Sequence, residues 1–368
     1  MNVFFCALLF ALVFLPVYAV TSARADAVDD YINEQMRQRH IPSLSLAVVK
    51  DGKVVKARGY GFANLEHKVP ATADTVYNLG SIGKQFTATG IMMLVQRGNV
   101  NLDEKVSHYL PGLPAAWADV RVRNLLNHTA GIPDYMSAPG LVWTQDYSDE
   151  QIIDLAANRP PHFAPGQAWR YVNTNYLLLG RIIQTVSGQS WTAFLTQEVF
   201  RPLGMTSTRR SSQDVISHRA APYDWDEKNT VWRNTGYLSP SLFINGSGGL
   251  LSSVLDLAKW DAALYGEGIL KQASLKQMWT PTPLGDGTTR NYGFGWDVEE
   301  QQGHRRIGHS GGSPGFEAHI ARFADDKLTV IILTNLSGSN PWEMSGVVAG
   351  MYKPSLAPRK PTATSDKK

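Results

Sequence analysis

Strand-like segments lie at both ends of this chain, and a long helical stretch separates them. The predicted strands cover 44–49, 54–60, 292–298, 305–309, 317–323 and 328–334. Asp51-Gly52 is a strong hairpin signal between the first two strands, and Asp325-Asp326 forms the last turn. Because short turns suffice to join antiparallel strands, the pattern predicts one antiparallel sheet built from both ends of the chain.

The middle of the chain is mostly helical, with Pro and Gly in the gaps between helices. The predicted helices cover 82–97, 149–157, 174–187, 190–200 and 253–264, with terminal helices at 26–38 and 342–351. We therefore predict an α+β fold with a sheet lobe at 26–79 and 291–352, flanked by helices, and a mostly helical lobe at 80–290. An active site is expected at the junction of the two lobes, and a disordered tail at 353–368.

The composition is that of a globular protein with a large core. Of the 368 residues, 43% are hydrophobic and 18% are charged. The net charge of +3 is too small to indicate a nucleic-acid partner. Cys6 is the only cysteine, so no disulfide and no thiol nucleophile is expected. The histidines form no metal-binding motif, so the sequence predicts neither a metal site nor a cofactor and leaves the oligomeric state open.

An export signal is predicted at 1–25. An unbroken apolar run extends from Val3 to Val20, and Ala23-Arg24-Ala25 then fits a cleavage site. Cleavage near Ala25 would release a periplasmic or secreted protein without stable membrane association. The apolar run at 3–20 is also long enough to be a membrane anchor, which is the alternative.

Ser81-Ile82-Gly83-Lys84 forms an S-x-x-K motif where the helix at 82–97 should begin. Residues three apart lie on one helix face, so the Ser81 hydroxyl and the Lys84 amine can contact each other. A serine beside a desolvated, neutral lysine is an activated nucleophile. The alternative is a helix cap beside a solvated lysine.

Two further short motifs follow along the chain. Tyr171-Val172-Asn173 precedes the predicted helix at 174–187, and His309-Ser310-Gly311-Gly312 ends a predicted strand. Taken singly, the first could be a packed tyrosine and a helix-capping asparagine. The second could be a glycine turn with a solvated histidine.

In this order the three motifs resemble those of the serine β-lactamase and penicillin-recognising family. The nearer branch contains class C β-lactamases, D-alanyl-D-alanine carboxypeptidases, D-aminopeptidases and class VIII-type esterases. Three further segments resemble this branch, namely Leu125–Pro133, Pro202–Met205 and Gly248–Ser252. The resemblance spans residues 28 to 352 and implies the β-lactamase/transpeptidase-like fold.

The resemblance also implies catalytic roles. Ser81 would be the nucleophile that accepts the acyl group, and Lys84 would assist removal of its proton. Tyr171 would be the partner acid/base that shares a proton with Lys84. His309 would join this catalytic group as the first residue of the third motif.

Substrate binding is implied for the remaining motif residues. Asn173 would hold the acyl amide of the substrate, and Ser310 and Gly311 would bind the substrate along the third motif. The N–H groups of Ser81 and Gly312 would form an oxyanion hole, which stabilises a tetrahedral intermediate with little reorganisation.

The third motif departs from the family pattern. Class C β-lactamases usually have Lys-Thr-Gly there, whereas this chain has His309-Ser310-Gly311. A group expected to titrate near neutrality therefore replaces a fixed positive charge. Arg305 and Arg306 could supply charge instead, or they could be solvated strand residues. We interpret His128, which also lies in a family-like segment, as structural.

The resemblance implies a serine hydrolase that acts on a small-molecule or peptide substrate through an acyl-enzyme on Ser81, and the predicted signal at 1–25 would make it an exported one. The histidine of the third motif favours D-amino-acid peptides of the D-Ala-D-Ala type. The alternatives are a carboxylesterase, a class C-like β-lactamase and a slow-turnover penicillin-binding sensor.

A rival nucleophile is Ser310, because Gly308–Gly312 also matches G-x-S-x-G, the nucleophile elbow of α/β-hydrolases. That elbow needs a helix directly after the serine, but a strand is predicted here. His319 would be the only histidine downstream of it. Ser310 is therefore the weaker candidate.

Overall fold

Both ends of the chain contribute strands to one seven-stranded sheet in the computed structural model, which describes residues 26–236, 238–243 and 246–359. The strands are β1 (Ser43–Lys50), β2 (Lys53–Asn64), β3 (Val69–Pro70), β4 (Tyr77–Asn78), β5 (Arg209–Arg210), β6 (Tyr223–Asp226), β7 (Val231–Asn234), β8 (Leu250–Ser252), β9 (Thr282–Pro283), β10 (Thr289–Arg290), β11 (Asp297–Gln301), β12 (His304–Ser313), β13 (Phe316–Phe323) and β14 (Leu328–Thr334). The sheet has the order β11-β12-β13-β14-β1-β2-β3 with antiparallel pairing throughout. The predicted sheet from both chain ends is confirmed.

The helices lie mainly between the two groups of strands. They are α1 (Ala27–Gln38), α2 (Gly83–Gln96), α3 (Val106–Tyr109), α4 (Val122–Leu126), α5 (Asp149–Ala157), α6 (Asn173–Ser187), α7 (Trp191–Leu195), α8 (Val254–Ala263), α9 (Gln272–Met278) and α10 (Pro341–Tyr352). The predicted α+β class is confirmed. The predicted helix at 190–200 forms as α7 followed by a π-helical turn at Thr196–Phe200.

Helices cover both faces of the main sheet. On one face, Leu44, Leu46 and Val48 of β1 pack in an apolar cluster with α1 and α10. On the other face, Ala47 and Val49 belong to the larger core, which includes α2, α6 and α8. Because neighbouring side chains of a strand point to opposite faces, β1 is buried along all but its last residue.

Helix α2 forms the centre of the helical lobe. Twelve of its 14 residues are buried, and it packs against α6 and α7. A helix that is surrounded by close-packed side chains is held rigidly in place. The residues at the amino end of α2 are therefore fixed in position by the core of this lobe.

The predicted strand at 292–298 is wrong in its first part, because β11 begins only at Asp297. Gly295 has a φ of +78°, and a Cβ there would lie 2.8 Å from the carbonyl oxygen of Lys84. This left-handed conformation and close approach both favour glycine. The chain therefore turns beneath α2 before the strand starts.

The predicted tail at 353–368 begins too early. Pro354–Leu356 forms a 3-10 turn after α10, and Leu356 is fully buried in the cluster of α1 and α10. Residues from 360 onwards and the predicted signal at 1–25 lie outside the described residues. Within the described ranges, no helix combines the length and the apolar character that crossing a membrane requires.

Strand β12 passes directly beside the 3-10 turn that contains Ser81. Gly80 in this turn has a φ of +50°, and a Cβ there would lie 2.5 Å from the Gly312 nitrogen. A Cβ at Gly311 would lie 1.9 Å from the Leu79 carbonyl oxygen. The two segments can touch only because neither glycine has a side chain. This contact joins the two lobes at Ser81.

Gly311→Ala should destabilise the protein, because the added methyl group overlaps the Leu79 carbonyl oxygen. Overpacking of this kind costs about 1–3 kcal/mol. Gly312→Ala is the matched control on the same strand, since a Cβ there meets nothing within 4 Å. Urea unfolding of both variants and the wild type measures the difference. Equal unfolding midpoints for the two variants would contradict the close contact.

Candidate active site

Lys84 is fully buried at the start of α2, where its amine contacts three oxygen atoms. Its Nζ lies 2.9 Å from Ser81 Oγ, 2.9 Å from Asn173 Oδ1 and 2.6 Å from the Ser247 carbonyl oxygen. Both carbonyl oxygens can only accept hydrogen bonds, and a neutral amine has two N–H groups and one lone pair. When Lys84 is neutral, the N–H groups go to these two oxygens. Its lone pair then remains for the Ser81 hydroxyl.

The charge state of Lys84 depends on its burial. Removal from water lowers the pKa of Lys84 to about 7, and the Asp134 carboxylate acts in the opposite direction. A substantial fraction of the amine is therefore unprotonated near neutral pH. A free amine beside a serine hydroxyl can act as its general base.

Asn173, the first residue of α6, is held at both ends of its side-chain amide. Its Oδ1 faces Lys84, and its Nδ2 donates to Asp134 Oδ2 at 3.2 Å. Asp134 in turn accepts a hydrogen bond from the Met136 N–H through Oδ1. The orientation of the Asn173 amide is thus fixed, because Lys84 donates a hydrogen bond to its oxygen and Asp134 accepts one from its nitrogen.

Asp134 and Ser247 are the two site residues that the sequence analysis missed. Asp134 directly follows the family-like segment Leu125–Pro133, and Ser247 directly precedes Gly248–Ser252. Their position next to these segments was the available signal. Neither contact follows from spacing, because Asp134 lies 39 residues from Asn173 and Ser247 lies 163 residues from Lys84 in the chain.

Tyr171 lies between the Lys84 amine and the aromatic side chains of the cleft. Its ring centroid is 4.8 Å from Lys84 Nζ. The hydroxyl is buried and makes no hydrogen bond among the described residues. Burial raises the pKa of Tyr171, although the nearby Ser81 hydroxyl acts in the opposite direction. The phenol is therefore protonated near neutral pH and is suited to donate a proton.

His309 on β12 is buried and neutral. Its Nδ1 donates to the Ser310 carbonyl oxygen at 2.5 Å, and its Nε2 accepts from the Tyr292 hydroxyl at 3.0 Å. Burial lowers the pKa of His309 to about 3, and Lys84 acts in the same direction. The expectation of a group that titrates near neutrality is wrong, because the enclosed ring cannot be solvated as a cation.

His128 has a structural role, in agreement with our interpretation. Its Nδ1 accepts from the Val172 N–H at 3.3 Å and lies 3.0 Å from Asn175 Nδ2. Its ring lies 4.4 Å from the ring of Tyr171. The histidine therefore supports the backbone next to Tyr171 and packs against the tyrosine itself.

Ser310 contacts a histidine, but this histidine cannot activate it. Ser310 Oγ lies 2.9 Å from His319 Nδ1, and His319 Nε2 lies 2.8 Å from Arg306 Nη2. A guanidinium group only donates hydrogen bonds, so Nε2 accepts and the proton of the neutral ring is on Nδ1. A general base needs a free lone pair at that nitrogen. A strand also follows Ser310 where the nucleophile elbow requires a helix.

Neither arginine of β12 supplies positive charge to Ser81. Arg305 is exposed and pairs with Asp325. Arg306 is buried against α10, where it contacts Ser345 and the ring of Trp342. The interpretation of Arg306 as a solvated strand residue is therefore wrong.

Among the described residues, no strand pairs with the edge of β12 beside Ser81. β11 pairs with β12 only as far as Gly308, so residues 309–313 pair with β13 alone. A Cβ at Gly311 would lie 3.1 Å from the Ser81 nitrogen, and one at Gly80 would lie 2.5 Å from the Gly312 nitrogen. The N–H groups of Ser81 and Gly312 thus lie close together at this edge.

Two cavities lie along this end of β12. One of about 380 Å³ is lined by Asn78, Ser313 and Phe316, among others. The other, of about 310 Å³, lies between the motif residues Ser310–Gly312 and the start of α10. Neither cavity is lined by Ser81, Lys84 or Tyr171.

Comparison of the sequence with known proteins identifies the family to which this chain belongs. The sequence profile of the β-lactamase family matches residues 28–345. Penicillin-binding protein 4* of Bacillus subtilis (strain 168) is 32% identical over 354 residues, covering 91% of this chain and 77% of the relative.

Solved structures agree with the sequence match. The octameric penicillin-binding protein homologue from Pyrococcus abyssi has a TM-score of 0.77 at 30% identity, covering 88% of this chain and 76% of that one. D-amino acid amidase from Ochrobactrum anthropi SV3 has a TM-score of 0.77 at 25% identity, covering 90% and 99%. The predicted β-lactamase/transpeptidase-like fold is confirmed, and the chain belongs to the β-lactamase family of serine hydrolases.

Proposed function

We propose that the protein hydrolyses peptides and amides of D-amino acids, of the D-Ala-D-Ala type, by acyl transfer to Ser81. One observation carries this proposal. The Lys84 amine donates its N–H groups to two carbonyl oxygens, so its lone pair faces the Ser81 hydroxyl. This is the arrangement of an activated nucleophile with its base.

The first step forms the acyl-enzyme. Ser81 Oγ attacks the substrate carbonyl carbon while its proton moves to Lys84 Nζ. The N–H groups of Ser81 and Gly312 stabilise the negative oxygen of the tetrahedral intermediate. Collapse of this intermediate breaks the bond to the leaving group, which takes a proton from the Tyr171 hydroxyl. Lys84 then returns its proton to Tyr171.

The second step releases the acyl group. A water molecule attacks the ester carbon of acylated Ser81 and gives a proton to the Lys84 amine. The tetrahedral intermediate uses the same two N–H groups. Its collapse breaks the bond between the carbon and Ser81 Oγ, which takes the proton back from Lys84 Nζ. Asn173 and Ser247 hold the amine in one orientation through both steps, which keeps the lone pair directed at the reacting atoms.

We propose that substrate binding does not require a negative charge on the leaving group. His309 is neutral at the position of the family's usual lysine, and Arg305 and Arg306 are engaged elsewhere. A free carboxylate on the leaving group would therefore have no fixed cation at the third motif. Similarity to D-amino acid amidase supports D-amino-acid amides as substrates.

A carboxylesterase is the second candidate. An ester also has a neutral leaving group, so the uncharged third motif suits it equally well. A class C-like β-lactamase would use the same Ser81 chemistry. A penicillin-binding sensor would form the acyl-enzyme but release it slowly.

Export is part of the proposal and rests on the sequence alone. Residues 1–25 would direct secretion, with cleavage after Ala25 and release of a chain that begins at Asp26. The alternative is an uncleaved anchor at 3–20.

Intact-mass spectrometry of protein from the producing cells should give the mass of the chain from Asp26 onwards. Ala25→Lys should retain the leader, because a small residue is required at the cleavage site. A full-length wild-type protein in the membrane fraction would instead favour the anchor.

A substrate panel tests the reaction and its substrate class. N-acetyl-D-Ala-D-Ala amide should be cleaved at least as fast as the free acid, and D-alanine amide faster than L-alanine amide. Ser81→Ala should remove all of these activities. Fastest turnover of p-nitrophenyl acetate or of a chromogenic cephalosporin would instead favour the esterase or the β-lactamase. One equivalent of product without steady turnover would indicate the sensor.

The pH dependence of kcat/KM should report Lys84. Its pKa lies at about 7, so the free amine predominates above that pH, and the rate should fall as the amine gains a proton below it. Lys84→Arg keeps a cation but offers no base, so kcat/KM should drop by about 10²- to 10⁴-fold. A constant rate between pH 5 and 9 would contradict the role of Lys84.

A further inference from the structure

The Ser247 carbonyl oxygen makes the shortest contact to the Lys84 amine, yet it lies in a turn before β8 rather than in a helix or strand. The preceding residue, Gly246, has a φ of +94°, and a Cβ there would lie 2.2 Å from the Tyr176 carbonyl oxygen. Tyr135 Oη, 3.2 Å from Ser247 Oγ, holds the side chain of Ser247 but not its carbonyl group. Because glycine permits many backbone conformations, the direction of this carbonyl depends on contacts to the neighbouring peptide group.

Thr87 on α2 makes such a contact. Its Oγ1 donates to the Gly246 carbonyl oxygen at 2.8 Å, whereas the Gly83 carbonyl oxygen of its own helix lies at 3.3 Å. A hydroxyl has a single proton, so the nearer oxygen receives it. Thr87 follows Lys84 by three residues and lies on the same face of α2. Two successive carbonyl groups, those of Gly246 and Ser247, are therefore held by two side chains one helical turn apart.

The direction of the Thr87 hydroxyl departs from what is usual for a threonine within a helix. Such a residue often donates to the carbonyl oxygen four positions earlier, and Thr89 does so to Gln85 at 2.8 Å. At Thr87 the indole nitrogen of Trp191, on α7, donates to Oγ1 at 3.0 Å. An indole N–H can only donate, so it occupies a lone pair of the hydroxyl and leaves the proton for Gly246.

We propose that Thr87 and Trp191 are positioning residues that direct the Ser247 carbonyl oxygen at the Lys84 amine. Trp191 fixes the hydroxyl of Thr87, and Thr87 fixes the plane of the peptide group between Gly246 and Ser247. This inference rests on the proposed function, in which Lys84 is the base. Without the Ser247 oxygen, one N–H of the neutral amine would have no acceptor, and the lone pair would no longer be held toward the Ser81 hydroxyl.

Loss of this contact should change the pH profile as well as the rate. A carbonyl oxygen binds an ammonium group more strongly than a neutral amine, so the Ser247 contact favours the charged form of Lys84. Its removal should lower the pKa of Lys84 further and move the acid limb of kcat/KM to lower pH. The plateau above that limb should also fall, because the amine is less well aligned with Ser81.

The ionisable groups around Lys84 are separate from the contacts of Thr87. They are Asp134, His128, Tyr171, Tyr176 and His309. Within the described part of the chain, the hydrogen-bond partners of the Thr87 hydroxyl are Gly83, Gly246 and Trp191. A change of the pH profile in a Thr87 variant therefore reports the Ser247 contact rather than one of these groups.

Thr87→Val and Thr89→Val are a matched pair that tests the contact. Both threonines are fully buried on α2, and valine replaces the hydroxyl with a methyl group of similar size, but only Thr87 contacts Gly246. The substrate is N-acetyl-D-Ala-D-Ala amide, which has no group that titrates near neutral pH. Thr87→Val should lower the kcat/KM plateau about tenfold and move the acid midpoint about one pH unit downward. Thr89→Val should keep the wild-type profile, and Thr87→Ser, which retains the hydroxyl, should restore it.

Trp191→Phe and Trp260→Phe test the second link. Each of these buried tryptophans donates its indole N–H to a side chain of α2, Trp191 to Thr87 and Trp260 to Gln85 Oε1 at 3.2 Å. Trp191→Phe frees the Thr87 hydroxyl to turn toward its own helix, so the midpoint should move downward, by less than in Thr87→Val. Trp260→Phe should leave it unchanged. In the Thr87→Val background, Trp191→Phe should move the midpoint no further.

An unchanged midpoint in Thr87→Val, with urea unfolding showing a folded protein, would overturn the inference. An equal shift in Thr89→Val would do the same. Should Thr87→Val not fold, equal midpoints in Trp191→Phe and Trp260→Phe would overturn it instead.

Failure of the proposed function would be visible in other measurements. Turnover in Ser81→Ala, or a wild-type kcat/KM without an acid limb, would remove the Lys84 mechanism itself. A wild-type acid limb together with an unmoved Thr87→Val midpoint would remove only the inference. If the protein is the esterase, p-nitrophenyl acetate gives the same profile, because acylation of Ser81 uses the same amine.

Discussion

The burial of one amine, that of Lys84, is the interaction on which the rest of the site depends. In water a lysine has a pKa of about 10.4 and is a cation at neutral pH. At the buried start of α2 the charged form of Lys84 is disfavoured. The Asn173 and Ser247 oxygens accept hydrogen bonds from its N–H groups. What remains is a lone pair directed at the Ser81 hydroxyl. The fully packed helix α2 is therefore part of the chemistry, because it supplies the desolvation that makes the amine a base.

The second constraint is the contact between the two lobes. The turn at Ser81 belongs to the helical lobe, and the third motif belongs to the sheet lobe. They approach closely because Gly80 and Gly311 have no side chains, and because β12 extends beyond its partner β11 at this end. The same approach brings the Ser81 and Gly312 N–H groups to one edge. The turn at Ser81 and strand β12 are therefore held against each other, which limits the relative movement of the atoms at this edge.

Three buried histidines surround the site, and none of them is charged. His128 accepts from a backbone N–H, His309 donates to a backbone carbonyl, and His319 accepts from Arg306. Each has a partner that can act in only one direction, so each tautomer is fixed. The histidines therefore orient neighbouring groups, and the proposed mechanism assigns proton transfer to Lys84 and Tyr171. The chain therefore differs from hydrolases in which a histidine is the general base, although it has a histidine in its third motif.

The amino-acid sequence by itself determined six of the seven strands of the main sheet, the longer helices and the pairing of Ser81 with Lys84, because these depend on local periodicity and on residues one helical turn apart. The motif order was also sufficient to indicate the family. Only the tertiary structure decided that Asp134 and Ser247 belong to the site, that His309 is neutral, and that the chain turns before β11. These properties depend on burial and on contacts between residues far apart in the chain, and such contacts exist only once the two lobes have packed against each other.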